Sequence, residues 1–289
     1  MKRAQGSVGA RQGRAPAVLS PAGRSQAGPS PAGRPPAARR TLVGGALGVA
    51  VLVAVWALLA SRQPEIILPS PGETWTALKT LARNGSLFDA LGLTLYRAAT
   101  GVLIGLALGI VWGAINGLSS WASAVSRPVV SALMSVPPVV LVSLGLIWLG
   151  PGAGVTRLVI VLVALPLIIV TVEEAVRDLD RSLIEMAAAF RLSRFDVLRH
   201  VVAPGVASPV LAATTVTFGQ SLRVAIMAEL LSAASGVGAL VARAQSNLDT
   251  AKIFAWTITV VVVVILLEVL VLNPVNARLM RWRGAPDGG

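Results

Sequence analysis

The chain has 289 residues, 55% of them hydrophobic and 13% charged, with a formal net charge of +12. A soluble domain of this length carries about twice that share of charge, so the composition points to an integral membrane protein. There is no cysteine, which excludes a disulfide framework and a thiolate metal site, and the single histidine, His200, cannot supply a multi-histidine centre.

Residues 1–40 hold eight Lys or Arg and no Asp or Glu. Their "SPAG" and "PPAARR" stretches cannot form a packed core, so this segment reads as a disordered basic tail. A basic tail can bind nucleic acid. Directly ahead of an apolar run it reads better as a signal that keeps the N-terminus in the cytoplasm, and no nucleic-acid partner is expected. It is too long, and too rich in Pro and Gly, for the n-region of a signal peptide.

A helix needs roughly 20 apolar residues to cross the hydrocarbon. Six candidates follow, at about 41–60, 98–118, 128–149, 158–173, 204–230 and 253–273, within a membrane domain spanning 41–283 and ahead of a short tail, 284–289. The fourth and sixth have the shortest uncharged cores, Leu158 to Val172 and Ile253 to Leu267, and Glu268 interrupts the sixth. The second span carries Gly101, Gly105, Gly109, Gly113 and Gly117. One glycine every fourth residue makes a stripe along one helix face, which suits close helix packing; lining a substrate path is the lesser reading. Pro137 and Pro138 fall in the middle of the third span and should kink or break it.

Between the fourth and fifth spans, residues 182–203 form a charged, alanine-rich insert. Ser182-Leu-Ile-Glu185 and Ser193-Arg-Phe-Asp196 both fit the capping-box pattern. They predict two short helices, about 183–190 and 194–201, with a turn at Arg191-Leu192 and Pro204 opening the next span. Such an insert either docks on a protein or rests as an amphipathic linker on the lipid headgroups, and the residues leave both open.

Charge asymmetry sets the topology. With the N-terminus inside, 17 Lys or Arg fall on the cytoplasmic side and seven outside, Arg97 among the latter. That bias predicts both termini, and the insert, on the cytoplasmic side. Arg223 and Glu229 lie within the fifth span. An ionisable group there costs at least ~2.5 kcal/mol, so it is partnered or faces water. They are six residues apart and do not stack on one helix face. Arg223 either lines a translocation path and meets an anion, or pairs with another span or snorkels. Gln220 and Trp256 are weaker pathway candidates, as is Glu229, whose place near the outer end suits a structural role. No triad, paired carboxylates or metal cluster can be assembled, so no catalytic or metal-ligating residue is assigned.

The insert resembles the EAA motif of ABC importer permeases. Glu185, Met186 and Ala187 stand at E-A-A, and "VVAP", ending at Pro204, matches its closing segment. Met186 replaces an alanine. Arg191 stands where the family has a glycine that eases the turn, while Ser193 can still cap the second helix. Further segments resemble the permeases of the nitrate, sulfonate and taurine group: "ILPSPGETWTALKTL", "LTLYRAATGVLIGLALGIVWGAINGLS", "SVPPVVLVSLGLIWLGPGAG", "AELLSAASGVGALVARAQ" and "RLMRWR". The resemblance covers about residues 64–283.

It implies an all-α, type I ABC importer permease fold of six transmembrane helices with a cytoplasmic coupling insert. The chain would be a multi-pass protein of a prokaryotic plasma (inner) membrane, surrounded by membrane lipid. It would carry no ATP site, in keeping with the lack of a G-x-x-x-x-G-K-[ST] loop. The implied partners are a second permease copy in a homodimer, two ABC ATPase subunits that bind ATP and Mg2+, and an extracytoplasmic solute-binding protein. Glu185, Met186, Ala187, Arg191, Ser193 and Pro204 would couple the chain to the ATPase. The group imports sulfonates, nitrate, taurine, bicarbonate and vitamin precursors, and a positive group in the fifth span favours an anion. The competing classes are an ion-coupled secondary transporter, which needs acids or a proton relay inside the bundle, and a membrane scaffold.

Overall fold

The computed structural model describes residues 37–180 and 193–272, with Ser182, Met186, Ala189, Phe190 and Pro274. The chain divides into Met1–Val51 and Leu52–Gly289. Of the first unit only the beginning of helix α1 (Ala37–Ala60) is described. Among the described residues all regular structure is helical.

In the second unit, Trp56 near the end of α1 donates Nε1–H to Pro69 O at 3.1 Å and stacks on Phe254. α2 (Pro71–Arg83) starts at a full capping box. Ser70 N–H donates to the Glu73 carboxylate at 2.8 Å, and Glu73 N–H to Ser70 Oγ at 3.2 Å. The first of these bonds holds the Glu73 carboxyl below the usual carboxylate range.

α3 (Ser86–Leu118) and α6 (Ala153–Arg177) are each long and apolar enough to cross a membrane. α3 begins 12 residues before the expected boundary at 98, because Arg97 is not a loop charge ahead of the helix but a buried, paired residue within it. The α3 glycine stripe lies against α6. A Cβ on any of the five glycines would stand 2.6–3.1 Å from an atom of Ile160, Ala164, Ile168, Ile169 or Val176. The two backbones therefore approach more closely than side chains would allow.

α4 (Ser120–Ser135) and α5 (Pro138–Leu149) occupy the expected third span but meet at a bend of 99°. Val136 and Pro137 each precede a proline. That disfavours helical ψ, and both are extended, with ψ of 122° and 137°.

After the insert, α7 (Arg194–Val197) continues through a π turn, Leu198–Val202, into α8 (Ala203–Ser232). Ser193 caps α7: Asp196 N–H donates to Ser193 Oγ at 3.2 Å, and that hydroxyl donates to Asp196 Oδ2 at 2.6 Å. Pro204 has no N–H for the carbonyl four residues back and its ring crowds that carbonyl, so the ladder widens just upstream. α9 (Val237–Ser246) and α10 (Thr250–Leu267) complete the described chain. α10 ends in a second π turn, Glu268–Leu272, two residues before Pro274.

By length and composition, α3, α6, Arg199–Ser232 and Thr250–Leu270 can each cross a bilayer, and α4–α5 together make up to a fifth span. Of the expected 41–60 span, the described apolar stretch is Leu47–Ala60. α8 packs on α6 through Val172, Val176, Val202, Val206 and Val210.

The glycine stripe yields a graded prediction. A Cβ at Gly113 would press on the Ile169 backbone carbonyl at 2.7 Å, whereas one at Gly92 meets nothing within 4 Å. Gly113→Ala should destabilise by about 1–3 kcal/mol. Gly92→Ala should be neutral or stabilise by up to about 1 kcal/mol. Thermal unfolding of the detergent-solubilised protein reads both, and equal melting temperatures would contradict the packing account.

Candidate functional site

Two polar features lie inside the membrane-spanning helices. The first is a closed cluster where α3, the end of α8 and the start of α9 meet. Arg97 and Glu229 are 4% and 0% exposed, so neither charge can be solvated by water and each needs a protein partner. Arg97 Nη1 donates to Glu229 Oε1 at 2.7 Å and to Ser235 O at 2.6 Å, and Nη2 donates to Ser235 Oγ at 2.8 Å. Thr94, one turn before Arg97, donates to Glu229 Oε2 at 2.7 Å and accepts Val237 N–H at 3.0 Å. Gly238 N–H donates to the same carboxylate oxygen at 3.2 Å. The carboxylate thus takes a guanidinium, a hydroxyl and an amide at a helix N-terminus, the donors that best stabilise a buried negative charge.

The Gly-x-Gly turn exists for this contact. Gly236 has φ of +100°, and a Cβ there would fall on the Glu229 carboxylate. A Cβ on Gly238 would fall on the Ile226 carbonyl. Only glycine lets the turn close over the ion pair.

The second feature is open. Two cavities lie along α8 and share Gln220. One, of about 200 Å³, is lined by Gln220 and Arg223 of α8, by Val264 and Leu267 of α10, and by Glu268. Arg223 is exposed to this cavity and forms no ion pair among the described residues. The other, of about 300 Å³, lies between the α4–α5 break and α6, with Pro138 and Pro166 in its wall. Its α8 side presents Thr217, Gln220 and Ser221, at i, i+3 and i+4 on one face. Thr217 and Ser221 are buried, and their hydroxyls have no hydrogen-bond partner.

The four pathway candidates therefore separate. Arg223 and Gln220 face cavities. Glu229 is held inside the closed cluster. Trp256 is 1% exposed, packed among Leu81, Leu87, Ala90, Val237 and Ala255, and lines neither cavity.

Of the insert residues, Glu185, Ala187 and Arg191 lie outside the described residues. Met186 and Phe190 are exposed, and Phe190 N–H donates to Met186 O at 3.0 Å, one helical turn. Upstream, Ser182 N–H donates to Asp180 Oδ1 at 2.8 Å, which holds that carboxyl below its ordinary range. Ser193 is exposed at the start of α7, and Pro204 sits in the first turn of α8.

The sequence reading missed Thr94, Arg97 and Ser235. A usable signal was present: Arg97 is a single cation at the edge of one apolar run and Glu229 the single acid in another, and opposite charges in two spans invite pairing. Thr217 and Ser221 were missed because a hydroxyl in a helix normally bonds its own backbone.

The family described as "Binding-protein-dependent transport system inner membrane component" matches residues 101–281. The chain belongs to that family, the inner-membrane permeases of ABC importers, and to its sulfonate, nitrate and taurine group. It is similar to the aliphatic sulfonates transport permease protein SsuC of Escherichia coli (strain K12), at 33% identity over 243 residues, covering 81% of this chain and 89% of that one. SsuC of Bacillus subtilis (strain 168) is 28% identical over 246 residues, covering 84% and 89%. Among solved structures, an amino acid ABC transporter with histidines shares the fold, with a TM-score of 0.58 at 16% identity over 71% of this chain and 97% of that chain. The protein is accordingly a multi-pass inner-membrane permease.

Breaking a buried pair leaves an uncompensated charge, which costs about 3–5 kcal/mol. Arg97→Ala and Glu229→Gln should each lower the melting temperature sharply. Thr94→Val, which removes one donor and one acceptor, should cost about 1–3 kcal/mol. Differential scanning fluorimetry in detergent checks the order, and an unshifted Glu229→Gln variant would show that the cluster does not hold the fold.

Proposed function

We propose that this permease moves a small anionic solute, of the sulfonate type, into the cytoplasm. Separate ATPase chains that bind ATP and Mg2+ drive it, and an extracytoplasmic solute-binding protein feeds it. Two copies pair as a homodimer, with both termini cytoplasmic. The observation that carries the anionic reading is Arg223: a cation within a span, unpaired among the described residues, on a cavity. A cation so placed is expensive unless it serves a ligand or water path. The two SsuC relatives, whose names specify aliphatic sulfonates, support the same class.

The insert at 182–203 is the proposed handle. Glu185, Met186, Ala187, Arg191, Ser193 and Pro204 would seat it on the ATPase. The exposed Met186–Phe190 turn supports a docking role. The uninterrupted run from α7 through the π turn into α8 supports transmission of its movement to the cavity wall. An ion-coupled mechanism would have to rely on Glu268, which borders the Arg223 cavity, since Glu229 is committed to Arg97.

Uptake of an alkanesulfonate should require ATP. Arg223→Ala should reduce that uptake about tenfold or more, the scale of a lost hydrogen bond to a charged group, with little change in melting temperature. Glu185→Arg should abolish ATP-driven uptake without unfolding the chain. Wild-type uptake by the Arg223 variant would refute the anionic path, and uptake driven by an ion gradient without ATP would refute the importer mechanism.

A further inference from the structure

Thr217 and Ser221, like Thr156 on α6, depart from the habit of hydroxyls in this protein, and unlike Thr156 they share the wall of one cavity. On α8, Thr214 donates to Val210 O and Ser232 to Ala228 O, each at 2.7 Å, and Thr171 and Thr259 bond back in the same way on α6 and α10. Thr217 and Ser221, at 2% and 0% exposure, bond to nothing. A buried hydroxyl left unpartnered loses its bonds to water with no replacement, so two of them a single turn apart require an explanation.

Both line the 300 Å³ cavity, and Gln220 stands between them on the same face. Across the cavity is the α4–α5 break, whose Pro138 opens α5. That helix start is partly open. Val140 N–H donates to Pro137 O at 3.0 Å, but Pro137 provides no side-chain cap, Pro138 has no N–H, and the Val139 amide has no backbone acceptor among the described residues. The N-terminus of a half-helix inside a membrane favours negative charge. The rest of the wall, including Met134 and Leu167, is apolar, and no charged side chain lines it.

We infer that this cavity is an oxyanion subsite for the transported solute. The Thr217 and Ser221 hydroxyls and the Gln220 amide donate to the head group, the start of α5 adds its positive dipole end, and the apolar wall takes a short alkyl tail. The inference rests on the proposed anionic solute. Holding an anion by neutral donors and a partial charge, without a cation, keeps the solute from being trapped on its way through. Gln220 lines the Arg223 cavity as well, so one amide can pass the head group from one cavity to the other.

The test is uptake of radiolabelled ethanesulfonate by host cells in which the chain is replaced by the Thr217→Val, Ser221→Ala double variant, with the melting temperature of the purified protein as a second readout. The inference expects uptake reduced about tenfold or more. It also expects a melting temperature equal to or above wild type, because no orphaned hydroxyl remains buried. Unchanged uptake by the double variant, with ethanesulfonate moved by wild type, overturns the subsite and leaves the proposed function standing. Lost uptake accompanied by a lower melting temperature assigns the hydroxyls a structural role and also overturns it. If wild-type cells move no ethanesulfonate with ATP available, the proposed substrate class falls and the subsite falls with it.

Discussion

The ion pair between Arg97 and Glu229 is the contact on which the arrangement of α3, α8 and α9 turns. It ties residues 132 positions apart in sequence, and it recruits the Thr94 hydroxyl, the Ser235 carbonyl and hydroxyl, and the first amides of α9. A buried pair need not add net stability over well-packed apolar residues. Its effect here is to define geometry. Two charges without water depend on this one set of protein partners, so α8 cannot slide or rotate against α3 without leaving a charge unpaired. Gly236 and Gly238 permit the α8–α9 turn to close over it.

Away from that point the glycine stripe takes over. It joins α3 to α6 by backbone proximity rather than by polar groups, as suits a solvent that offers no hydrophobic drive between helices. The cluster holds the end of α8, and α6 packs on its start through Val206 and Val210. Between them α8 borders two cavities, Arg223 on one, Thr217 and Ser221 on the other, and Gln220 on both. The contrast is chemical: the polar groups of the cluster are nearly all satisfied, whereas the Thr217 and Ser221 hydroxyls are not. Groups left unsatisfied inside a membrane protein are where a passing solute can be held, which is why a transport role follows from the same accounting that explains the fold.

Much of the fold was legible in the sequence because the bilayer imposes coarse signals. Apolar run length marked α3, α6, α8 and α10 as long apolar helices, a strict four-residue period marked the glycine stripe, and tandem prolines marked the α4–α5 break. What hydropathy could not show was Arg97. A buried, paired arginine and an exposed one read alike, so the expected span starts too late and a buried charge enters the count of surface charges. For the site, Arg223 and Gln220 were legible as polar residues in an apolar run. Glu229 and Trp256 were not separable from them, since a closed cluster and an open cavity differ only in three dimensions. Thr217 and Ser221 were silent because their meaning lies in bonds they do not make.

The central claim is that this chain is the passive half of a machine whose motor is another protein. The most direct measurement is affinity purification of the tagged chain from its own membrane in mild detergent, followed by quantitative mass spectrometry. The account predicts an ATPase carrying a phosphate-cradling loop at about one copy per permease. A stable, transport-competent preparation with no ATPase would contradict it.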